Sequence, residues 1–176
     1  MIESAYNLRR NRLANVPNQP GCYKWWFRED GARTLLQNVP RINWGAIQTQ
    51  TIDGSTYYAL YFGIAKKSLH QRLDWHINQQ YTPSQIKSGT ISTLRITIGS
   101  LLGIPASQSQ QSVNNFMDTY CYVEYDVKPS SEVARDEDWE ELHLSNYYPV
   151  NLQENGNSDK ETKDYIKEQR SKFTKQ

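Results

Sequence analysis

Aromatic and apolar residues fall in short bursts along this chain, with polar stretches between them. The first burst, Gly21-Cys22-Tyr23-Lys24-Trp25-Trp26-Phe27, follows Pro17 and Pro20 and predicts a strand entering at Gly21. Tyr57-Tyr58-Ala59-Leu60-Tyr61-Phe62-Gly63 predicts a second strand, and the alternation over Tyr120–Val127 a third. The polar connection between the first two strands holds Gly31, Pro40, Gly45 and Gly54 and is too long for a hairpin loop, so an insertion over residues 28–56 is expected. From Ser68 the period changes. Leu69, Leu73 and Ile77 recur every fourth residue, the stripe of a helix packed on a sheet, with Arg72 and His76 one step off it and sharing a face at the border of core and solvent. Ile91, Leu94, Ile98, Leu101 and Leu102 are also helically spaced, although Gly99 and several threonines weaken that pattern. Pro129-Ser130-Ser131 gives a stop and an N-cap for an acidic helix from about Ser131 to Tyr147, ended by Pro149. The mixed charges from Lys160 to Lys175 read as a solvated terminal helix.

Composition narrows the class. A chain of 176 residues predicts one domain, and although mean hydropathy is -0.81, 5 Trp and 12 Tyr supply burial through rings with polar edges. A disordered or collagen-like chain is excluded on that ground. No apolar run approaches the ~18 residues of a membrane span, and Met1-Ile2-Glu3-Ser4-Ala5 lacks a signal-peptide layout, so a cytoplasmic protein is expected. Cys22 and Cys121 belong to no Cys/His cluster, which removes a disulfide scaffold and a structural zinc site. With 20 Lys+Arg against 19 Asp+Glu, net charge does not announce a nucleic-acid partner; local clusters have to. Arg9, Arg10 and Arg12 mark residues 1–20 as a basic arm or short helix. Lys24, Lys66, Lys67 and Arg95 are further candidate DNA contacts, with a mixed-charge surface as the plainer reading. Trp25-Trp26 suits base stacking or, by default, core filling.

Taken in order, Gly21-Cys22-Tyr23, Tyr61-Phe62-Gly63, the Arg72-x-x-x-His76 helix, the acids Glu140-Glu141 and Pro149-Val150-Asn151 resemble the GIY-YIG nuclease family. Its first motif is Gly-Ile-Tyr and its second Tyr-Ile-Gly; here Cys22 and Phe62 replace the isoleucines. The spacing also departs from the family's usual close hairpin, since 37 residues (24–60) lie between Tyr23 and Tyr61. The resemblance implies an α+β fold with a small, mainly antiparallel three-stranded sheet flanked by helices and a long insertion between the first two core strands. The expected organisation is a basic arm at 1–20, a nuclease domain at 21–155 and a charged tail or helix at 156–176.

The resemblance further implies a metal-dependent DNA endonuclease that is restriction-like or mobile-element-associated. A structure-specific repair nuclease and a catalytically inactive DNA-binding module are the alternatives. Tyr23 would act as general base or position the water, Tyr61 would orient water or phosphate, and His76 would touch the phosphate or relay a proton. Gly21, Gly63 and Asn151 would support the site. The residue types suit the chemistry independently of the name. Arg72 offers a permanent forked charge for phosphate, and one carboxylate with water and phosphate oxygens suits Mg²⁺, with Mn²⁺ as substitute, better than zinc. Glu140 is the expected ligand, because it sets Trp139, His143 and Tyr147 in one row toward the sheet; Glu141 is the alternative and Glu137 stays open. An ordinary tyrosine, with a pKa of ~10, needs neighbouring cations to serve as base, and Arg72 and Lys24 are candidates. No organic cofactor and no membrane partner are expected. Cutting both strands takes two subunits or two visits, so a homodimer is one arrangement open to it.

Overall fold

The computed structural model describes residues 1–152 and 155–175. Its centre is an antiparallel sheet of five strands: β1 (Ile2–Ser4), β2 (Gly21–Arg28), β3 (Thr49–Ile52), β4 (Ser55–Ala65) and β5 (Cys121–Val127), in the spatial order β1-β5-β2-β4-β3. The three expected strands form its middle. The two added ones are the edges, three and four residues long and polar, too short to show an alternation in the sequence.

Side chains alternate across β2, so Tyr23, Trp25 and Phe27 turn to one face and Cys22 and Trp26 to the other. The first face carries the larger core. It is covered by α1 (Ala5–Arg10), α2 (Glu29–Leu36), α3 (Leu69–Asn78), α5 (Thr93–Leu101), α6 (Ala106–Tyr120) and α8 (Lys160–Lys175), each adding buried residues to the molecule's interior. α3 buries Leu69, Leu73 and Ile77 as its period requires and starts at Ser68, whose Oγ accepts the Gln71 N–H. A short helix, α4 (Pro83–Ser88), precedes α5. The second face is covered by α7 (Ser131–Glu140), with Ala134, Leu142 and Tyr148 packed on Cys22, Trp26, Ala59 and Phe62.

Several expectations change here. Residues 1–20 are not a free arm: β1 pairs with β5, and Leu8, Leu13 and Val16 are buried. Arg9 lies inside this packing, bonded to Asp118 at 3.0 Å and to the Ile77 carbonyl, and so is not placed to bind DNA. Residues 28–56 fold into α2, a 3₁₀ turn (Trp44–Ala46) and the edge strand β3, which turns through Asp53–Gly54 into β4; they are part of the domain's own layers. The acidic helix stops at Glu140 and continues as one π turn, Glu141–Ser145. α8 is not merely solvated, because Thr162, Ile166 and Phe173 are buried; the tail's last residue, 176, lies outside the described residues. Trp25 and Trp26 fill the two cores, and both cysteines are free and buried. No helix among the described residues is long and apolar enough to cross a membrane.

Candidate active site

β2 and β4 meet with Tyr23 opposite Gly63 and Trp25 opposite Tyr61, but Trp26 pairs with Ala59. Leu60 is therefore an extra residue. This bulge turns both Leu60 and Tyr61 to the larger core face, the face of Tyr23, whose ring lies 6.3 Å from that of Tyr61. The two motif glycines make room. A Cβ on Gly63 would lie 2.6 Å from the Tyr23 Oη, and one on Gly21 would lie 2.5 Å from Leu69 Cδ1. Small residues at these points let the Tyr23 phenol lie across β4 and let α3 seat against β2.

Beyond Ala59, β4 has no strand on its outer side, and the segment after Pro149 seals it instead. Val150 N–H donates to the Leu60 carbonyl at 3.1 Å, and the Asn151 side chain bonds both the N–H and the carbonyl of Phe62 at 2.8 Å each. Asn151 thus acts as a substitute strand residue, fixing the backbone between Tyr61 and Gly63.

The Tyr23 hydroxyl is the hub of a buried network. Arg72 Nε donates to it at 3.1 Å, His76 Nε2 is 2.8 Å away, and His76 Nδ1 is 2.6 Å from Ser92 Oγ, which caps α5. Burial pushes the Tyr23 pKa up, with Tyr61 adding to the rise and Arg72 opposing it. His76 is held well below its ordinary value by burial, then by Arg72 and Arg95. Both rings are therefore neutral at neutral pH. Arg72 stays charged: burial works against it, and its interactions with Tyr23 outweigh the cost.

A cleft of ≈ 250 Å³ opens on this network. Tyr23, Tyr61, Gly63 and Arg72 line it, with Thr93 and Thr97 from α5, Asp138 from α7, Asn151, and Arg170 from α8. Lys66 stands at its border, exposed.

Other expected residues lie elsewhere. Glu140 is exposed and does not line the cleft, because two helical steps turn it about 200° from Asp138. Trp139 is likewise solvent-facing, stacked on His143 at 5.1 Å, so the expected row toward the sheet does not form. Glu141 accepts from the Tyr148 hydroxyl at 2.6 Å and from Asn146 at 2.7 Å, in a separate pocket on the α7 face. Glu137 is paired with Lys128. Lys24, one residue off Tyr23, has its ammonium over the rings of Trp26, Phe62 and Tyr148 and donates to Gln48, so it gives Tyr23 no help. Arg95 is fully buried, donating to the His76 carbonyl at 2.9 Å and to Asn114 Oδ1 at 2.7 Å; it is a brace between helices rather than a DNA contact. Lys67 is exposed beside Lys66.

A family model described as the GIY-YIG catalytic domain matches residues 21–172. The chain belongs to the GIY-YIG family. Comparison with curated proteins and with solved structures gave no match. Membership makes the chain a nuclease-family protein and explains why both motif tyrosines, the Arg-x-x-x-His helix and Asn151 surround one stretch of β4. The replaced isoleucines do not disturb that arrangement. Cys22 and Phe62 both pack into the α7-side core, where an apolar side chain is all the motif asks for.

Sequence reasoning missed Asp138, Ser92, Thr93 and Arg170. Asp138 had a signal: it lies one helical turn after Ala134, the buried residue that marks the inward face of α7. Arg170 had a similar one, since Thr162, Ile166 and Phe173 trace the buried stripe beside it.

Proposed function

We propose that this GIY-YIG protein is a metal-dependent DNA endonuclease hydrolysing phosphodiester bonds at the Tyr23–Tyr61–Arg72 cleft. The observation carrying this reading is that a forked cation, a two-ring proton path and a carboxylate converge on one opening. Arg72 neutralises charge on the phosphate oxygens. Because Arg72 donates to Tyr23 Oη, the phenol proton points to His76 Nε2, whose Nδ1–H is held by Ser92. Tyr23 then takes the proton of the attacking water while passing its own to His76. Passing the proton on avoids a free tyrosinate, which burial of Tyr23 disfavours, and neutral His76 has Nε2 open to accept it, although burial and the neighbouring arginines make that acceptance uphill. Tyr61, with its hydroxyl 3.4 Å from Thr93 Oγ1, orients the water or the phosphate.

The resemblance implies a divalent ion, and one carboxylate of the cleft could hold it. Asp138 offers a single hard oxygen donor; no group of three or more His, Cys, Asp or Glu that could hold a metal ion occurs among the described residues, so an ion here would rest on this one carboxylate with water and phosphate oxygens. Asp138, in place of Glu140, would hold Mg²⁺ or Mn²⁺. When bound, the ion supplies Lewis-acid stabilisation at the scissile phosphate. Lys66 and Lys67 give exposed phosphate contacts.

The test is incubation of plasmid and phage DNA with and without Mg²⁺, using wild type, Asp138→Asn, Glu140→Gln and Glu141→Gln. Metal-dependent cutting lost in Asp138→Asn and kept in Glu140→Gln supports the reading; loss in Glu140→Gln alone overturns the ligand assignment. Discrete fragments from plain duplex mark a restriction-like or mobile-element enzyme. A requirement for a branch marks a repair-type nuclease, and salt-sensitive binding without any cutting defeats the catalytic reading.

A further inference from the structure

A second and larger opening adjoins the cleft. It has a volume of ≈ 850 Å³ and shares Ile64, Lys66 and Arg72 with the catalytic opening, so the two are continuous. Its far side is α3, where Trp75 lies three residues after Arg72. Trp75 is 41% exposed, whereas Trp25 and Trp26 are buried, and of the two exposed indoles among the described residues it is the one that lines this opening. The Arg72 guanidinium lies over its ring at 5.4 Å from the centroid.

Charge and size select the occupant. Lys66, Lys67 and Arg72 put three cations against one carboxylate, Asp74, which already accepts from Asn78 Nδ2 at 2.8 Å. The exposed amide of Gln71 adds a donor and acceptor suited to a base edge. The groove's volume falls within the ~300–1,000 Å³ of small-ligand sites, a size that suits a single nucleotide. Its walls thus combine a phosphate-binding rim with an aromatic platform, the pairing that single-stranded nucleic acid requires.

We propose that this groove receives an unstacked nucleotide next to the scissile phosphate, its base lying on the Trp75 face opposite Arg72 and its phosphate against Lys66 and Lys67. The proposal rests on the nuclease reading and adds a feature of the substrate: at least one base beside the cut is out of the helical stack when bound. Arg72 then serves two neighbours, with its guanidinium packed on the indole and its Nε bonded to Tyr23.

The experiment compares two fluorescein-labelled 20-mers, one a mixed-sequence single strand and one of the same length built wholly of abasic sites. Binding is read by anisotropy with metal omitted. Wild type is expected to bind the base-bearing strand roughly 5- to 150-fold more tightly, the range of one base stacked on an aromatic ring. Trp75→Ala should erase that preference and Trp75→Phe keep much of it. Trp139→Ala, which removes the other exposed indole among the described residues, should leave it intact. Lys66→Gln with Lys67→Gln should weaken both strands alike and flatten the salt dependence. Trp75→Ala with its preference unchanged, or a wild type that cuts DNA yet binds both strands equally, overturns the groove assignment alone. A wild type that binds neither strand and leaves every DNA intact overturns the nuclease reading beneath it.

Discussion

Replacing Gly63 by alanine tests whether the Tyr23 phenol must lie against β4. The added Cβ would stand 2.6 Å from Tyr23 Oη, 2.7 Å from its Cζ and 3.1 Å from Tyr61 Cε1, against ordinary contacts of 3.4–4 Å. The ring must therefore move by close to an ångström. It has nowhere to go, being buried and held at its hydroxyl by Arg72 and His76. Overpacking of this kind costs ~1–3 kcal/mol, offset in part by the ~0.5–1 kcal/mol that alanine gains over glycine within a strand. For a domain of this size the net loss lowers Tm by up to about 10 °C. Activity should fall further, by ~100-fold, because the displaced hydroxyl is the proton acceptor. Gly45→Ala is the control: its nearest neighbour would be Asn43 Oδ1 at 3.7 Å, so both quantities should stay close to wild type. The assays are calorimetry and initial rates of plasmid cleavage. Gly63→Ala with wild-type Tm and wild-type rate refutes the close-packing argument.

Four further outcomes follow from the same geometry. Arg72→Lys keeps a cation but loses the Nε donor to Tyr23, and should cost at least ~100-fold in cleavage rate with Tm little changed. Asn151→Ala strips partners from the buried Phe62 N–H and carbonyl and should cost ~2–4 kcal/mol in urea unfolding; a loss under 1 kcal/mol would show that this edge of β4 is sealed by something else. Ser92→Ala frees His76 Nδ1, so nitrogen chemical shifts of that ring should show mixed tautomers in place of one, and Ser92→Thr should restore the single form. His76 is buried neutral, so the unfolded chain binds a proton below pH ~6.5 that the native state refuses. Stability should fall as pH drops through that value, by up to ~1.4 kcal/mol per unit, and His76→Gln should flatten the slope.

The middle of the fold was legible because three aromatic strands and the Leu69/Leu73/Ile77 stripe each repeat with a period the backbone imposes. β1, β3 and α6 were not. The edge strands are too short to show a period, and α6 carries Val113, Phe116 and Met117 after a run of serines and glutamines that hides its start. The basic amino terminus misled for a related reason. Arg9 looks like a free charge in sequence, but Leu8 and Leu13 on either side of it pull the segment inward, and its guanidinium finds Asp118 more than a hundred positions away. Cations at Arg9 and Arg95 become braces because the chain offers them carbonyls at the end of α3, where the helix dipole favours positive charge.

The carboxylate shows most clearly what spacing alone misses. The row Trp139, His143, Tyr147 that pointed to Glu140 assumes one regular helix running to Tyr147. The helix instead ends at Glu140 and widens into a π turn, so residues beyond it no longer keep the 100° step that this row needs. Within α7 itself Ala134 is buried against the sheet and Asp138, one helical turn on, lines the cleft, while Leu142 reaches the same core from the π turn. A carboxylate is then carried to the edge of β4 by hydrophobic packing on either side of it. On the proposed reading, the acid at the cleft is placed there by its neighbours' burial. Asp138→Ala with Glu141→Asp should stay inactive, because Glu141 is held by Tyr148 and Asn146 in a pocket other than the cleft. Asp138→Glu should retain metal-dependent cutting at a reduced rate. Cleavage unaffected by either change would place the carboxylate off the Ala134–Leu142 face and refute this derivation.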